Sequence, residues 1–383
     1  MRIHDFRWIP YALPFHRPFP TAWGTLESRE GFLVGVRDAE GRWGIGEAAP
    51  LPGFGTETTG ETQRRLEEWE RMLPGSEIEP FDPPGGKSAP DPAPGSFGGK
   101  LAAWARNTPA AAHALETAWL SLTAEEAGLS LAKWMHPESP DGVLVNATLA
   151  ARSLAETVEQ ARQAVMAGFS TLKIKVGADS PEEDWARLHA VREKVGGNTA
   201  LRADANGAWE VERASAMLAR WRDLELEYIE QPLRADDLSG MARLKADGNV
   251  PIAADESVNS EEGARRVLDH RAADLLVLKP MVLGGVLPAL RIARSALARG
   301  VRVVVTSSLE GVFGRTASLH LAAAVSGAHA EAGLGGNPPA CGLATGGLLA
   351  ADLLDHPPEP QSGRLALPKG AGLGLPVPGR PFD

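Results

Sequence analysis

Cysteine is almost absent. Cys341 is the only one in 383 residues, so the chain forms no internal disulfide and has no thiolate cluster for zinc. Any metal must use oxygen or imidazole ligands. Long apolar runs are also missing. None reaches the roughly 18 uninterrupted residues of a membrane span, and the N-terminal MRIHDFRWIPYALPF is broken by charges and prolines where a signal peptide would be continuous. The sequence reads as a soluble, cytosolic protein. There is no surplus of positive charge: 39 basic residues face 49 acidic ones, for a net charge of −10. The two signs are interspersed, which gives no electrostatic reason to bind nucleic acid or an anionic membrane. The expected partner is a small molecule, and no feature of the sequence specifies an oligomeric state. No Gly-rich dinucleotide fingerprint follows the first strand-like segments, and no loop has the closely spaced acids of a calcium site.

Lysine is scarce as well, with nine lysines among the 39 basic residues. Three of the nine, Lys173, Lys175 and Lys279, stand in strand-like apolar settings. Arginine serves the rest of the chain, so an ammonium group is specifically wanted at these three places. A lysine can give up its proton, whereas an arginine practically cannot.

Residues 1–60 alternate polar and apolar in the manner of antiparallel strands, with turn chemistry from Asp38 to Gly41. The Pro/Gly-rich FDPPGGKSAPDPAPGSFGGK at 81–100 reads as a loop or insertion, and a helix follows with Pro109 in its first turn. Beyond residue 142 short apolar runs alternate with amphipathic segments. The runs are VLVNATL, TLKIKV, ALRADAN, LEYIEQP, PIAADES, DLLVLKP and VRVVVTSS. A helix between the second and third is marked by Ser180 as N-cap, Pro181 at its first position and Glu183 closing a capping box. Such a pattern predicts a parallel sheet covered by helices, closed into a barrel. The expected domains are 1–140, 141–345 for the barrel, and a 346–383 tail that returns to the first.

Five of these runs end in a charged residue: Lys175, Asp204, Glu230, Asp255 and Lys279, spaced about one βα unit apart. Equivalent positions on successive barrel strands converge at the carboxyl rim, where this architecture builds active sites. One lone charge at a strand end is commonly an N-cap for the next helix. Five in the order base, acid, acid, acid, base specify more. Three carboxylates from adjacent strands form a hard all-oxygen site suited to Mg2+, with Mn2+ as a possible substitute. Such an ion would hold a substrate carboxylate and stabilise the charge left when its α-proton is removed, with a neutral lysine as base. Lys173 shares a strand face with Lys175, and its like charge is expected to lower the pKa of that base. The metal acts in the same direction and the carboxylates oppose it.

At these residues the sequence resembles the enolase superfamily, in its muconate-lactonizing branch. The resemblance covers nearly the whole chain through KIK (Lys173, Lys175), DAN (Asp204, Asn206), EQP (Glu230), DES (Asp255, Glu256) and LKP (Lys279). It implies an α+β capping domain, made from the N-terminal region and the C-terminal tail, over a modified TIM barrel, (β/α)7β. A Lys or His base with Mg2+ is a known pattern of that superfamily. Within the branch the sequence looks most like the o-succinylbenzoate synthases of menaquinone biosynthesis. GEAAPLPGFGTET at 46–58, SSLEGVFG at 307–314 and CGLATGGLLAADLL at 341–354 carry that likeness. The family's reaction is a syn dehydration of a succinyl-hydroxycyclohexadiene carboxylate. Lys175 would abstract the α-proton and Lys279 would face it as a cation. The resemblance also implies substrate-binding roles. Ser307 and Ser308 would serve the succinyl carboxylate, while Asn206 and Arg202 would line the site. Arg29 reads either as a lid residue or as a surface strand charge, and His320 as packing.

The same two lysines could instead run an epimerase or racemase. A dipeptide epimerase needs a carboxylate for the substrate ammonium, and near the last strand only Glu331 is placed to serve. N-succinylamino acid racemisation needs no such group. Muconate cycloisomerisation has no clear pocket signal, and a non-enzymatic barrel would not depend on Lys175.

Overall fold

The computed structural model describes residues 2–21, 24–78, 93, 95–151, 153–379 and 382. Strands β1 (Ile3–Thr21), β2 (Gly24–Asp38) and β3 (Trp43–Ala48) form an antiparallel meander. Helices α1 (Thr59–Met72), α2 (Phe97–Ala105), α3 (Pro109–Glu126) and α4 (Leu131–Met135) follow. The capping core unites Phe6, Val34 and Val36 of the sheet with Leu66, Trp69, Leu115 and Trp119 of the helices. α3 lies almost on the backbone of β3. A Cβ added at Gly44 would stand 1.9 Å from Ala118 O, and one at Gly46 would stand 2.0 Å from Ala114 O, so only glycine fits there.

The loop expected over 81–100 is corrected in part. Residues 81–92 and 94 lie outside the described residues, but Phe97–Ala105 is helical, with Ser96 Oγ accepting from Gly99 N as an N-cap. Burial of Phe97 and Leu101 in the capping core outweighs the low helix propensity of Gly98 and Gly99.

The second unit begins with β4 (Gly142–Leu144). Its parallel sheet runs in chain order through β5 (Ala147–Leu149), β6 (Thr171–Lys175), β7 (Ala200–Asp204), β8 (Leu226–Glu230), β9 (Ile252–Ala254), β10 (Leu275–Leu278) and β11 (Arg302–Val305). The connections are α5 (Leu154–Met166), α6 (Pro181–Val195), α7 (Val211–Arg220), α8 (Leu238–Asp247), α9 (Glu261–Asp269), the short α10 (Pro280–Leu283) and α11 (Val286–Ala298), with α12 (Val312–Glu331) after the last strand. α6 begins as its sequence predicts, with the Ser180–Glu183 capping box in place. Residues 341–342 bridge the two ends of the sheet: Gly342 N donates to Val305 O, and Asn146 N donates to Cys341 O. The barrel is thus closed by a segment too short to count as a strand. Alternate residues point inward, where Tyr228, Ala253, Leu275, Val277 and Val304 form a small core of their own. The other face of the strands packs beneath the helices.

The tail pairs β12 (Arg364–Ala366) with β4, and the Phe382 ring stands 5.4 Å from that of Trp43 on the capping sheet. None of the helices among the described residues is long and apolar enough to cross a membrane.

Candidate active site

Strand register decides which side chains meet. Lys175 pairs with Asp204, and Asp204 pairs with Glu230, so these three form one row across β6, β7 and β8. Glu230 pairs with Ala253, which places Asp255 one pleat further toward the carboxyl rim. Lys279 follows β10 directly. The row beneath consists of Lys173, Arg202 and Tyr228.

Lys173 reaches up from that lower row. Its Nζ lies 2.8 Å from Glu230 Oε1 and 3.0 Å from Asp204 Oδ2. Burial works against its ammonium, but the two carboxylates outweigh burial and hold its pKa well above the usual lysine value. On the far side the Lys279 ammonium binds Asp255 Oδ1. It too is raised, because the fields of Asp255, Glu256 and Glu230 outweigh burial. Lys175 differs: its Nζ donates to the neutral Asn206 Oδ1 at 3.0 Å. Burial pushes the Glu230 carboxyl up, against the pull of Lys173, and neighbouring Asp204 and Asp255 add to the rise.

The ring also bears on whether a divalent cation fits between these strands. Among the described residues no three His, Cys, Asp or Glu side chains stand together as a ready-made cluster; Lys173 lies between Asp204 and Glu230, and Lys279 pairs with Asp255. The chemistry of the donor set nevertheless fits. Asp204, Glu230 and Asp255 are oxygen donors at adjacent strand ends, near enough that each raises the cost of ionising Glu230, and hard cations take such ligands. A bound cation would take over the neutralisation that the lysines supply.

Several residues beyond the five strand-end charges build the site. Gln231 Oε1 accepts from Asp255 N, Ser257 N and Ser257 Oγ, and its Nε2 donates to Leu233 O. One fully buried amide thereby fixes the backbone on which Asp255 stands. Asn206 and Gln231 both have left-handed backbones, with φ of 44° and 37°. Each follows a ring carboxylate closely, and such strain concentrates at functional sites. Asn206 Nδ2 donates to Glu256 Oε1, and burial followed by Asp255 pushes that carboxyl up to about 7. From the capping domain Phe54 lies under Lys279, with Nζ 5.1 Å from the ring centroid, a cation–π contact. A cavity of about 470 Å³ opens here, lined by Lys175, Asn206, Phe54, Glu256, Arg234 and Phe19 among others. Phe54, Gln231, Glu256 and Arg234 were not singled out by the sequence as site residues. Gln231 and Glu256 had a usable signal, since each directly follows a ring carboxylate.

Two expectations need correction. Arg202 shares a face with Asp204 but lies a row lower, fully buried, bound to Glu227, Asn146 Oδ1 and Ala340 O and stacked 4.7 Å from the Tyr228 ring. It ties the closing segment to the barrel and does not line the cavity. Arg29 is not a surface charge: it is buried and donates to the carbonyls of Glu30, Ala49, Pro50 and Ser308. Ser307 and Ser308 stand just past the end of β11 and are buried. Ser307 Oγ bonds Thr345 Oγ1 at 2.7 Å, and Ser308 Oγ is buried without a hydrogen-bond partner. His320 packs as expected. It is fully buried between Ala132 N and Leu373 O, and burial lowers its pKa to about 4.

Comparison with known proteins agrees with this construction. The family model "Enolase C-terminal domain-like" matches residues 156–379, and "MenC, N-terminal domain" matches 5–82. The o-succinylbenzoate synthase of Thermobifida fusca is 42% identical over 227 residues, which is 59% of this chain and 66% of that protein. The L-Ala-D/L-Glu epimerase of Bacillus subtilis is 32% identical over 82% of each chain. The dipeptide epimerase of Enterococcus faecalis, solved with Mg and the dipeptide L-Leu-L-Tyr, superposes with a TM-score of 0.83 at 28% identity, covering 98% of this chain and 99% of that one. A barrel that carries the Lys-x-Lys strand, three strand-end acids and the opposing lysine under a cap of this kind belongs to the enolase superfamily, in its muconate-lactonizing branch.

Proposed function

We propose that this chain is an o-succinylbenzoate synthase, a Mg2+-assisted dehydratase. It would convert 2-succinyl-6-hydroxy-2,4-cyclohexadiene-1-carboxylate to 2-succinylbenzoate for menaquinone biosynthesis. The observation that carries this reading is the division of labour among the three lysines. Lys173 and Lys279 are paired with carboxylates that favour their charged forms. Lys175, in the cavity wall, is held by a neutral amide. A syn dehydration needs one base and one fixed cation, whereas a two-base racemisation needs both facing lysines to exchange protons. The match of the capping region to a MenC N-terminal domain points the same way.

Mg2+, held by Asp204, Glu230 and Asp255, would supply positive charge to the substrate carboxylate. Lys175 as neutral amine takes the α-proton, and the electron pair of the broken C–H bond moves into the conjugated carboxylate. Lys279 faces that developing charge. The Lys175 ammonium then donates its proton to the hydroxyl on the same side, the C–O bond breaks, and water leaves as the ring becomes aromatic. Lys175 ends as it began.

Dipeptide epimerisation is less well supported. Glu331, the one acid near the last strand that the sequence offered for a substrate ammonium, closes α12, a helix about 30 Å long that begins after β11. There it bonds His136 at 3.1 Å. Incubation with Mg2+ and the hydroxycyclohexadiene substrate should generate the ultraviolet spectrum of the aromatic product. No turnover, together with rapid α-proton exchange of an N-succinylamino acid in D2O, would replace this reading with a racemase.

A further inference from the structure

We infer that Arg234 reads the second carboxylate of the substrate. The inference rests on the proposed reading of the site, in which a dicarboxylate enters the cavity with one end at the acid ring. Among the described residues that line the cavity only Lys175 and Arg234 carry positive charge, and Lys175 is assigned to proton transfer. Glu256 and Asp236 also line the wall, so an anionic group at the rim needs a cation to offset their field. The serines expected to bind the succinyl carboxylate are buried and carry no charge to offset that field. Arg234 is on the wall.

Its backbone is held by the neighbouring loop and its tip is exposed. Leu233 is buried and bridges to Trp209, and Trp209 N donates to Pro232 O at 3.1 Å. Gly207 N donates to Gln231 O, and a Cβ at Gly207 would stand 3.6 Å from Arg234 Cα. Two loops that follow ring carboxylates are thereby packed together, and the Arg234 backbone is fixed at the cavity edge. Beyond it the side chain is 72% exposed and, among the described residues, pairs with Asp236 Oδ1 alone, at 3.4 Å. An exposed pair of this geometry is weak, and a carboxylate can displace Asp236 and be held by the planar fork of the guanidinium.

The test measures binding of 2-succinylbenzoate and of 2-butyrylbenzoate, which has the same shape without the distal carboxylate, in the presence of Mg2+. Calorimetry on the wild type, Arg234→Ala, Arg234→Lys and Asp236→Asn separates the outcomes. A charge-assisted contact is worth roughly ten- to a hundredfold in affinity. Arg234→Ala should lose that factor for 2-succinylbenzoate and stay within about twofold for 2-butyrylbenzoate, with Lys restoring part of the loss. Asp236→Asn should bind 2-succinylbenzoate at least as tightly as the wild type. Selective loss without any turnover by the wild type would support Arg234 and remove the synthase reading. Turnover with wild-type binding and KM in Arg234→Ala overturns the inference and leaves the synthase reading standing. Equal weakening of both ligands overturns it too, as does a wild type that binds neither.

Discussion

Lys173 Nζ lies 2.8 Å from Glu230 Oε1, so the lysine two residues before the proposed base serves first as the counterion of the acid ring. Asp204 and Glu230 compensate its charge. A carboxylate pair this deeply buried is costly without a cation.

Lys173→Met should therefore destabilise the metal-free protein by about 3–5 kcal/mol, the usual cost of removing one partner from a buried ion pair. Urea unfolding in EDTA measures this. Added Mg2+ should recover part of the loss. A midpoint unchanged from wild type would show that the pairing contributes nothing to the fold.

Removal of the metal provides a second test. A cation that binds only the folded state stabilises it by about 2.7 kcal/mol at a hundred times its Kd. Melting temperature should rise with Mg2+ and fall back in EDTA, and Glu230→Gln should abolish the rise. A rise that survives in Glu230→Gln would place the ion elsewhere.

The sequence made the strand ends legible because charge breaks an otherwise apolar run, and period 2 assigns each charge to an interior face. That period gives the face but not the depth. Lys173 and Arg202 face inward one row below Lys175 and Asp204, and only the reach of each side chain separates one that joins the ring from one that turns to Glu227. The buried grip of Arg29 on Ser308 O, beside its bonds to Glu30, Ala49 and Pro50, is a contact between the capping domain and the barrel, which no local pattern encodes. Barrel closure at 341–342 was hidden by its brevity, and α2 by its glycines.

Gln231 tests whether the amide behind the ring matters to chemistry as well as to the fold. Gln231→Met keeps the volume but leaves Asp255 N, Ser257 N and Leu233 O without their partner. Stability should drop by about 1–3 kcal/mol, and kcat by up to about a hundredfold, because a shift near 1 Å in a positioned group costs that much. Steady-state kinetics on protein shown to be folded reads the second effect. A normal kcat with a lowered Tm would assign Gln231 to the fold alone.

Glu116, on α3 of the capping domain, accepts from Val286 N and Leu287 N at the start of α11, just past the Lys279 loop. Burial, opposed by those N–H groups and by Arg291, pushes its carboxyl from 4.5 up to about 7. Between these values the folded chain keeps a proton that the unfolded chain has released. Stability from this group is therefore full below pH 4.5 and is lost as pH rises through 7. The gap corresponds to roughly 3 kcal/mol. Glu116→Gln retains an oxygen acceptor for the helix terminus and does not titrate. Its stability relative to wild type should move in favour of the glutamine by about 2–3 kcal/mol between pH 4.5 and 7.5. The buried histidines titrate in both proteins and cancel in the difference. Urea midpoints at three pH values across that window give the slope, and a difference that stays flat would mean that Glu116 is already ionised throughout and that its helix cap does not depend on pH.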